Sequence, residues 1–274
     1  IVDDGRNFVS TTNKKYDVII GDILHPMSSG TGSLLTKEYF ELTRERLNTG
    51  GIFCQWLPLH QHTLTEIKII SNTFRQAYPE SSLWYGMIGT SVPVVGLIGS
   101  NDKIVVDYDL LKKRYQDKKL LENLHRVILD DPTYLLSNII IDNEHLDDFC
   151  KSYPINTDDK PIIEFSAPQM YRNFSEQGIM NLSWLNDFLM DTYPHIRIAS
   201  NKEEVDKIIQ YIYMNIAAKM IVVDGYLDLL EGNRELQIYK YEKGLELYPY
   251  SSDLYYSLFE ARRELQYIEN QVQP

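Results

Sequence analysis

The spacing of apolar positions changes several times along this chain, and each change predicts an element. Val18, Ile19 and Ile20 are consecutive β-branched residues ahead of Gly21 and Asp22, the pattern of a strand covered on both faces. From there to Leu35 the chain carries Pro26, Gly30 and Gly32 without apolar periodicity and reads as a loop. Helical spacing returns over Thr36–Leu47, with Thr36 placed as N-cap. Leu47-Asn48-Thr49-Gly50-Gly51 closes that helix ahead of a strand over Ile52–Trp56. Thr63–Tyr78 predicts the next helix, with Ile67, Ile70 and Phe74 on one stripe. Ser82–Tyr85 and Val92–Ile98 read as a terminal antiparallel strand pair. Short helices are expected over Tyr108–Gln116, Lys119–Val127 and Thr133–Leu136.

After Pro168 the pattern becomes almost entirely helical, most clearly over residues 203–268. Gly225, Gly232, Tyr241, Gly244 and Pro249 fall at the offsets of one tetratricopeptide repeat, a period of about 34 residues. Larger residues such as Gln237 occupy some of its small positions, and a plain helical hairpin is the simpler alternative. Repeats bury their faces only against neighbours, so this tail is expected to pack on the preceding region or on a partner protein. The organisation expected is an α/β region over 1–170, a connecting segment over 171–202 and a helical, repeat-like region over 203–274.

Composition narrows the partners. A formal net charge of −12 argues against nucleic acid, whose affinity comes largely from Lys and Arg, and is compatible with a cationic ligand. Cys54 and Cys150 are the only cysteines, both in apolar contexts, which favours a reducing compartment over a disulfide framework. The Asn173 and Asn181 sequons read as chance matches. No apolar run is long enough to cross a bilayer, so the region reads as soluble and cytoplasmic. A membrane anchor upstream in a parent protein stays open.

Chemistry is expected first at Asp22, since ligands of open α/β sheets sit beyond the carboxyl ends of the strands. His25, His60 and His62 each follow a predicted parallel strand and could reach the same edge. Three imidazoles with a carboxylate would suit zinc, but loop histidines are usually solvated and no metal is expected.

The motifs DGRNF (4–8), YDVIIGD (16–22), Pro26, SLLTKEYF (33–40), LNTGGIFCQW (47–56) and NTDDKPIIEFSAP (156–168) occur in an order that resembles the spermidine synthase (aminopropyltransferase) family, above all its longer spermidine-synthase-like members. The resemblance implies a partial methyltransferase-like, Rossmann-type sheet ahead of the helical tail. It also implies aminopropyl transfer from decarboxylated S-adenosylmethionine to a small amine, as in polyamine biosynthesis. Asp22 corresponds to the carboxylate that holds the attacking amine and takes its proton; a loop-capping Asp is the plainer reading. Asp4 and Gly5 correspond to the adenine-binding turn, or to a simple Asp-Gly turn. Gln55 corresponds to an amine-contacting glutamine.

Two positions depart from the family. His25 stands in the amine site where a second carboxylate is expected, and Val92 where an amine-binding tyrosine is expected. A diammonium substrate prefers two carboxylates, so a putrescine-specific site is in doubt. The family's glycine-rich loop is not found, Gly30-Thr31-Gly32 being the only G-x-G. Ile1–Gly5 reads as a strand end turning into a loop, which makes the chain the back part of a longer protein, inactive alone for want of a nucleoside-binding front half. A strand ending at residues 1–4 would lack a neighbour, so that edge is expected to fray, to be covered by another chain, or to pair in a homodimer. Two alternatives remain: a relative with lost chemistry acting as a binding or scaffold module, and a methyltransferase, although Asp22-Ile23-Leu24-His25 lacks the Asp-Pro-Pro-aromatic pattern of amino-methylating enzymes.

Overall fold

A computed structural model describes residues 4–22, 25–87, 92–127, 129, 131–170, 174–192, 195–199 and 202–272. The elements run α1 (Gly5–Thr11), β1 (Tyr16–Gly21), α2 (Lys37–Glu45), β2 (Leu47–Pro58), α3 (Leu64–Ala77), β3 (Glu80–Met87) and β4 (Val94–Ser100). They continue with β5 (Val106–Asp107), α4 (Tyr108–Arg114), α5 (Lys118–His125), α6 (Pro132–Leu136), β6 (Ile139–Ile141), α7 (Asn143–Cys150), α8 (Ile162–Ser166) and α9 (Phe174–Thr192). The last are β7 (Ile198–Ala199), α10 (Lys202–Leu230), α11 (Arg234–Leu247) and α12 (Ser252–Val272). Contacts divide the chain into two compact units, 1–104 with 139–195, and 105–138 with 196–274.

The first unit is a mixed α/β layer structure. Its strands lie in the order β1-β2-β4-β3-β6. β1 and β2 are parallel; the other pairings are antiparallel. Local chemistry explains the helices that cover it. Thr36 accepts from the Tyr39 amide to start α2, and Thr63 with Glu66 forms a reciprocal capping box at α3. Phe40, Phe53, Phe74 and Tyr78 are fully buried between sheet and helices, with the Phe74 and Tyr78 ring centroids 4.7 Å apart. Those rings dictate a glycine in β4: a Cβ on Gly99 would sit 2.5 Å from Tyr78 and 2.7 Å from Phe74.

Three expectations need correction. β1 is not covered on both faces. It is an edge strand of the described sheet, and Val18 and Ile20 are 53% and 63% exposed, because no described element lies over the face they share. The expected terminal pair β3–β4 is antiparallel, but β4 inserts between β2 and β3, and the unanticipated β6 extends the sheet beyond β3. Asp4 opens a helix where a turn into a loop was expected. It caps α1, its side chain accepting from the Asn7 amide at 2.8 Å; residues 1–3, on which the expected open edge rested, lie outside the described residues.

In the second unit, α10, α11 and α12 close on Tyr241 and Leu254, both fully buried with Ala218 and Val222. Gly225 and Gly244 are the points of closest approach. A Cβ on Gly225 would meet the Tyr241 ring at 2.3 Å, and one on Gly244 would meet Leu254 at 2.9 Å. Lys219 is buried among α6 and α12 residues. Its Nζ donates to Ser137 at 2.7 Å, lies 3.2 Å from Asp253 and stands over the Tyr134 ring. Burial lowers its pKa, against the opposing pull of Asp253. Among the described residues, no helix is long and apolar enough to cross a membrane.

Candidate functional site

The site grows from the parallel pair. Register places Gly21 of β1 opposite Gln55 of β2, so Asp22 leaves the sheet at the carboxyl end that Gln55 also occupies. Asp22 is exposed, whereas Gln55 is 1% exposed. The Gln55 Nε2 donates to the carbonyls of Asp22 (3.3 Å), Gly21 (3.5 Å) and its neighbour Trp56 (3.1 Å). Gln55 therefore braces the backbone that presents Asp22. A Cβ at Gly21 would lie 2.3 Å from Gln55 Oε1, so the Gln55 amide keeps this position only beside a glycine.

The loop after Asp22 is pinned from a distance in sequence. Glu164 of α8 accepts from the Gly30 and Gly32 amides at 2.7 and 2.9 Å. Gly30 has φ of +86°, in the left-handed region. The fully buried Asn156 donates to the Leu35 carbonyl at 2.9 Å, accepts from the Ile163 amide, and receives its own backbone support from Thr73. Arg6 of α1 donates to the Ser33 carbonyl at 2.6 Å and pairs with Asp158. The NTDDKPIIEF segment thus serves as a clamp on the Asp22 loop and on α1. Sequence reasoning missed Asn156, Glu164 and Arg6 in that part, although the motif itself stood out.

The histidines separate. His25 Nδ1 lies 3.3 Å from Gln61 Oε1, and Gln61 Nε2 lies 3.0 Å from His60 Nε2, which joins two imidazoles through one amide beside the Asp22 loop. Burial lowers the His60 pKa, a Pro93 backbone hydrogen bond opposes this, and nearby His25 lowers it further. His62 is buried instead, and burial holds its imidazole at about 4, with His60 adding to the depression. The Glu66 carboxylate 3.9 Å from His62 Nδ1 does not outweigh that burial, so the ring is neutral and the pair is not ionic. Asp22, His25, His60 and His62 do not form a metal-ligand group. Among the described residues the one such group is Asp142, His145 and His195, at the β6 edge opposite β1.

Of the remaining candidates, Val92 is 42% exposed and adjoins Pro93, whose carbonyl accepts from the Leu59 amide at 2.9 Å; this puts Val92 at the same end of the sheet. Asp4 and Gly5 open α1. Cysteine chemistry is disfavoured, because burial pushes the Cys54 thiol up to about 11 and the Cys150 thiol to about 12.

Comparison with known proteins gives a consistent picture. Residues 1–94 match the spermine/spermidine synthase domain family. A polyamine aminopropyltransferase of Saccharolobus solfataricus is 30% identical over 125 residues, 45% of this chain and 40% of that protein. One from Saccharolobus islandicus is 27% identical over 165 residues, 59% of this chain and 53% of that protein. One from Escherichia coli is 47% identical over 53 residues, 19% of this chain and 18% of that protein. The chain spans about half the length, or less, of these curated relatives.

Proposed function

We propose, from the spermidine synthase-like sequence of residues 1–94, that this chain is part of an aminopropyltransferase acting in polyamine biosynthesis. The parent enzyme takes decarboxylated S-adenosylmethionine and a small amine as substrates. The amine nitrogen attacks the methylene beside the sulfonium. A C–N bond forms, the C–S bond breaks with its electron pair going to sulfur, and methylthioadenosine leaves. The proton lost by the attacking ammonium passes to Asp22 or, through it, to solvent. Asp4 and Gly5 are assigned to the adenine side. Gln55 positions the Asp22 backbone, and His25 faces the amine.

One observation carries this reading: a solvent-facing carboxylate at the carboxyl end of the parallel pair, with its backbone braced by a buried glutamine. His25 favours an amine other than a diammonium, because an imidazole stands where the family has a second carboxylate to hold the distal charge. The same observation supports the second reading, a relative that has lost its chemistry and serves as a binding module through its helical, repeat-like tail.

The test is methylthioadenosine release by the full-length parent with a panel of mono- and diamines. Asp22→Asn should lower turnover by about 10²-fold or more, the usual weight of a positioned acid–base group. A variant within threefold of the parent enzyme would refute the role of Asp22, and a parent inactive with every amine would favour the binding module. The 274-residue chain alone is expected to release no methylthioadenosine above a buffer control.

A further inference from the structure

We propose that Asp142, His145 and His195 form a binding site for a divalent cation of the zinc class, separate from the aminopropyl-transfer site. Asp142 is buried where β6 turns into α7. One carboxylate oxygen caps the helix, accepting from the Glu144 and His145 amides at 2.8 and 3.0 Å. The other accepts from the His195 amide and lies 2.8 Å from His145 Nδ1. The carboxylate is therefore fixed in place, and it fixes the backbone of one histidine and the ring of the other. The two imidazole centroids are 5.1 Å apart. Each of the three residues offers a ligand atom within 4.8 Å of the others.

The donor set selects the cation. Two imidazoles with one carboxylate match the three-ligand zinc sites that leave a fourth position to water, whereas calcium and magnesium take oxygen ligands. Zinc bonds of about 2.0–2.2 Å place tetrahedral ligand atoms roughly 3.3 Å apart, so the 2.8 Å contact between Asp142 and His145 Nδ1 must open as the wider separations, up to 4.8 Å, close. His195 can supply that movement, because its side chain is 65% exposed. Glu144 Oε2, 3.5 Å from His195 Nδ1, provides the carboxylate partner that commonly orients a ligating imidazole.

Position gives the site a consequence. The chain re-enters the first unit at Ile139 and leaves it after His195, so a cation held by Asp142 and His195 would fasten the re-entry point to the exit point.

The experiment is calorimetric titration of zinc chloride into the full chain, with cobalt(II) absorption as a coordination readout and tryptophan fluorescence following unfolding of the first unit. Binding of a single cation per chain is expected, with a raised unfolding midpoint. His145→Ala and His195→Ala should each weaken it at least tenfold and abolish the zinc-dependent rise, while His125→Ala, at an exposed position in the second unit, should change neither. His195→Ala removes only an exposed side chain, so it tests the site without threatening the fold. Absence of saturable binding, or equal weakening by His125→Ala, would overturn the proposal.

Discussion

Acidification should unlock the first unit through His62. This imidazole is 1% exposed, and burial lowers its pKa from 6.5 to about 4. Above pH 6.5 the ring is neutral in both folded and unfolded chains and contributes no pH dependence. Below that, the unfolded chain takes up a proton that the folded chain refuses, so stability falls as pH drops from 6.5 towards 4. At 1.36 kcal/mol per pH unit, the loss amounts to about 2 kcal/mol by pH 5 and about 3 kcal/mol by pH 4. The assay is urea unfolding followed by tryptophan fluorescence, which reports on this unit because Trp56, Trp84 and Trp184 all belong to it. Carboxylates also titrate in this range, so the comparison is with His62→Leu, which keeps them and removes the imidazole. The wild-type chain should lose about 2 kcal/mol more than the variant between pH 7.5 and pH 5. Parallel pH profiles for the two proteins would refute the reasoning.

Three further outcomes follow from the packing. Gly21→Ala drives a Cβ into Gln55 Oε1 and should cost about 1–3 kcal/mol in fluorescence-detected urea unfolding, with a matching fall in parent-enzyme turnover as Asp22 loses its brace. Gly225→Ala places a Cβ 2.3 Å from the Tyr241 ring; despite its better helix propensity it should lower the stability of the second unit by about 1–3 kcal/mol, read by far-ultraviolet circular dichroism. Lys219→Ala strands Asp253 without its cation and should cost about 3–5 kcal/mol by the same measurement, whereas a loss under 1 kcal/mol would show that the ammonium contributes little.

Much of this architecture was legible because local pattern decides it. The cap at Thr36, the apolar stripe of α3 and the helical tail all follow from residues within a few positions of each other. Asp22 and Gln55 share one end because two apolar runs pair in parallel, which strand spacing anticipates. Cover was not legible: Val18-Ile19-Ile20 reads as a buried strand whether or not anything lies over its faces. Nor was β6, since Ile139–Ile141 is too short to show a period. His60-Gln61-His62 reads as a solvated loop, yet the next helix and the Asn181 amide, which donates to the His62 carbonyl at 2.7 Å, enclose part of it. The clamp of Asn156 and Glu164 on the Asp22 loop bridges more than a hundred residues of sequence, and no local window registers such a partnership.

The interleaving of the two units bears on how the chain is made. Residues 105–138 belong to the second unit but emerge from the ribosome between the two stretches of the first. Domains that are continuous in sequence can complete themselves from the N-terminus onward during synthesis; here the first unit waits for residue 195, and the second for the helices after it. Until β6 is synthesised, β3 stands as an open sheet edge, the kind of surface on which nascent chains pair wrongly. The adjacent β3–β4 hairpin needs only a short connection, whereas the parallel β1–β2 pair spans a helical crossover, so the hairpin closes at the lower entropic cost. Cutting this gene at any one point inside 105–195 would leave both units broken, so a truncation series would report one shared loss of solubility rather than two separable domains.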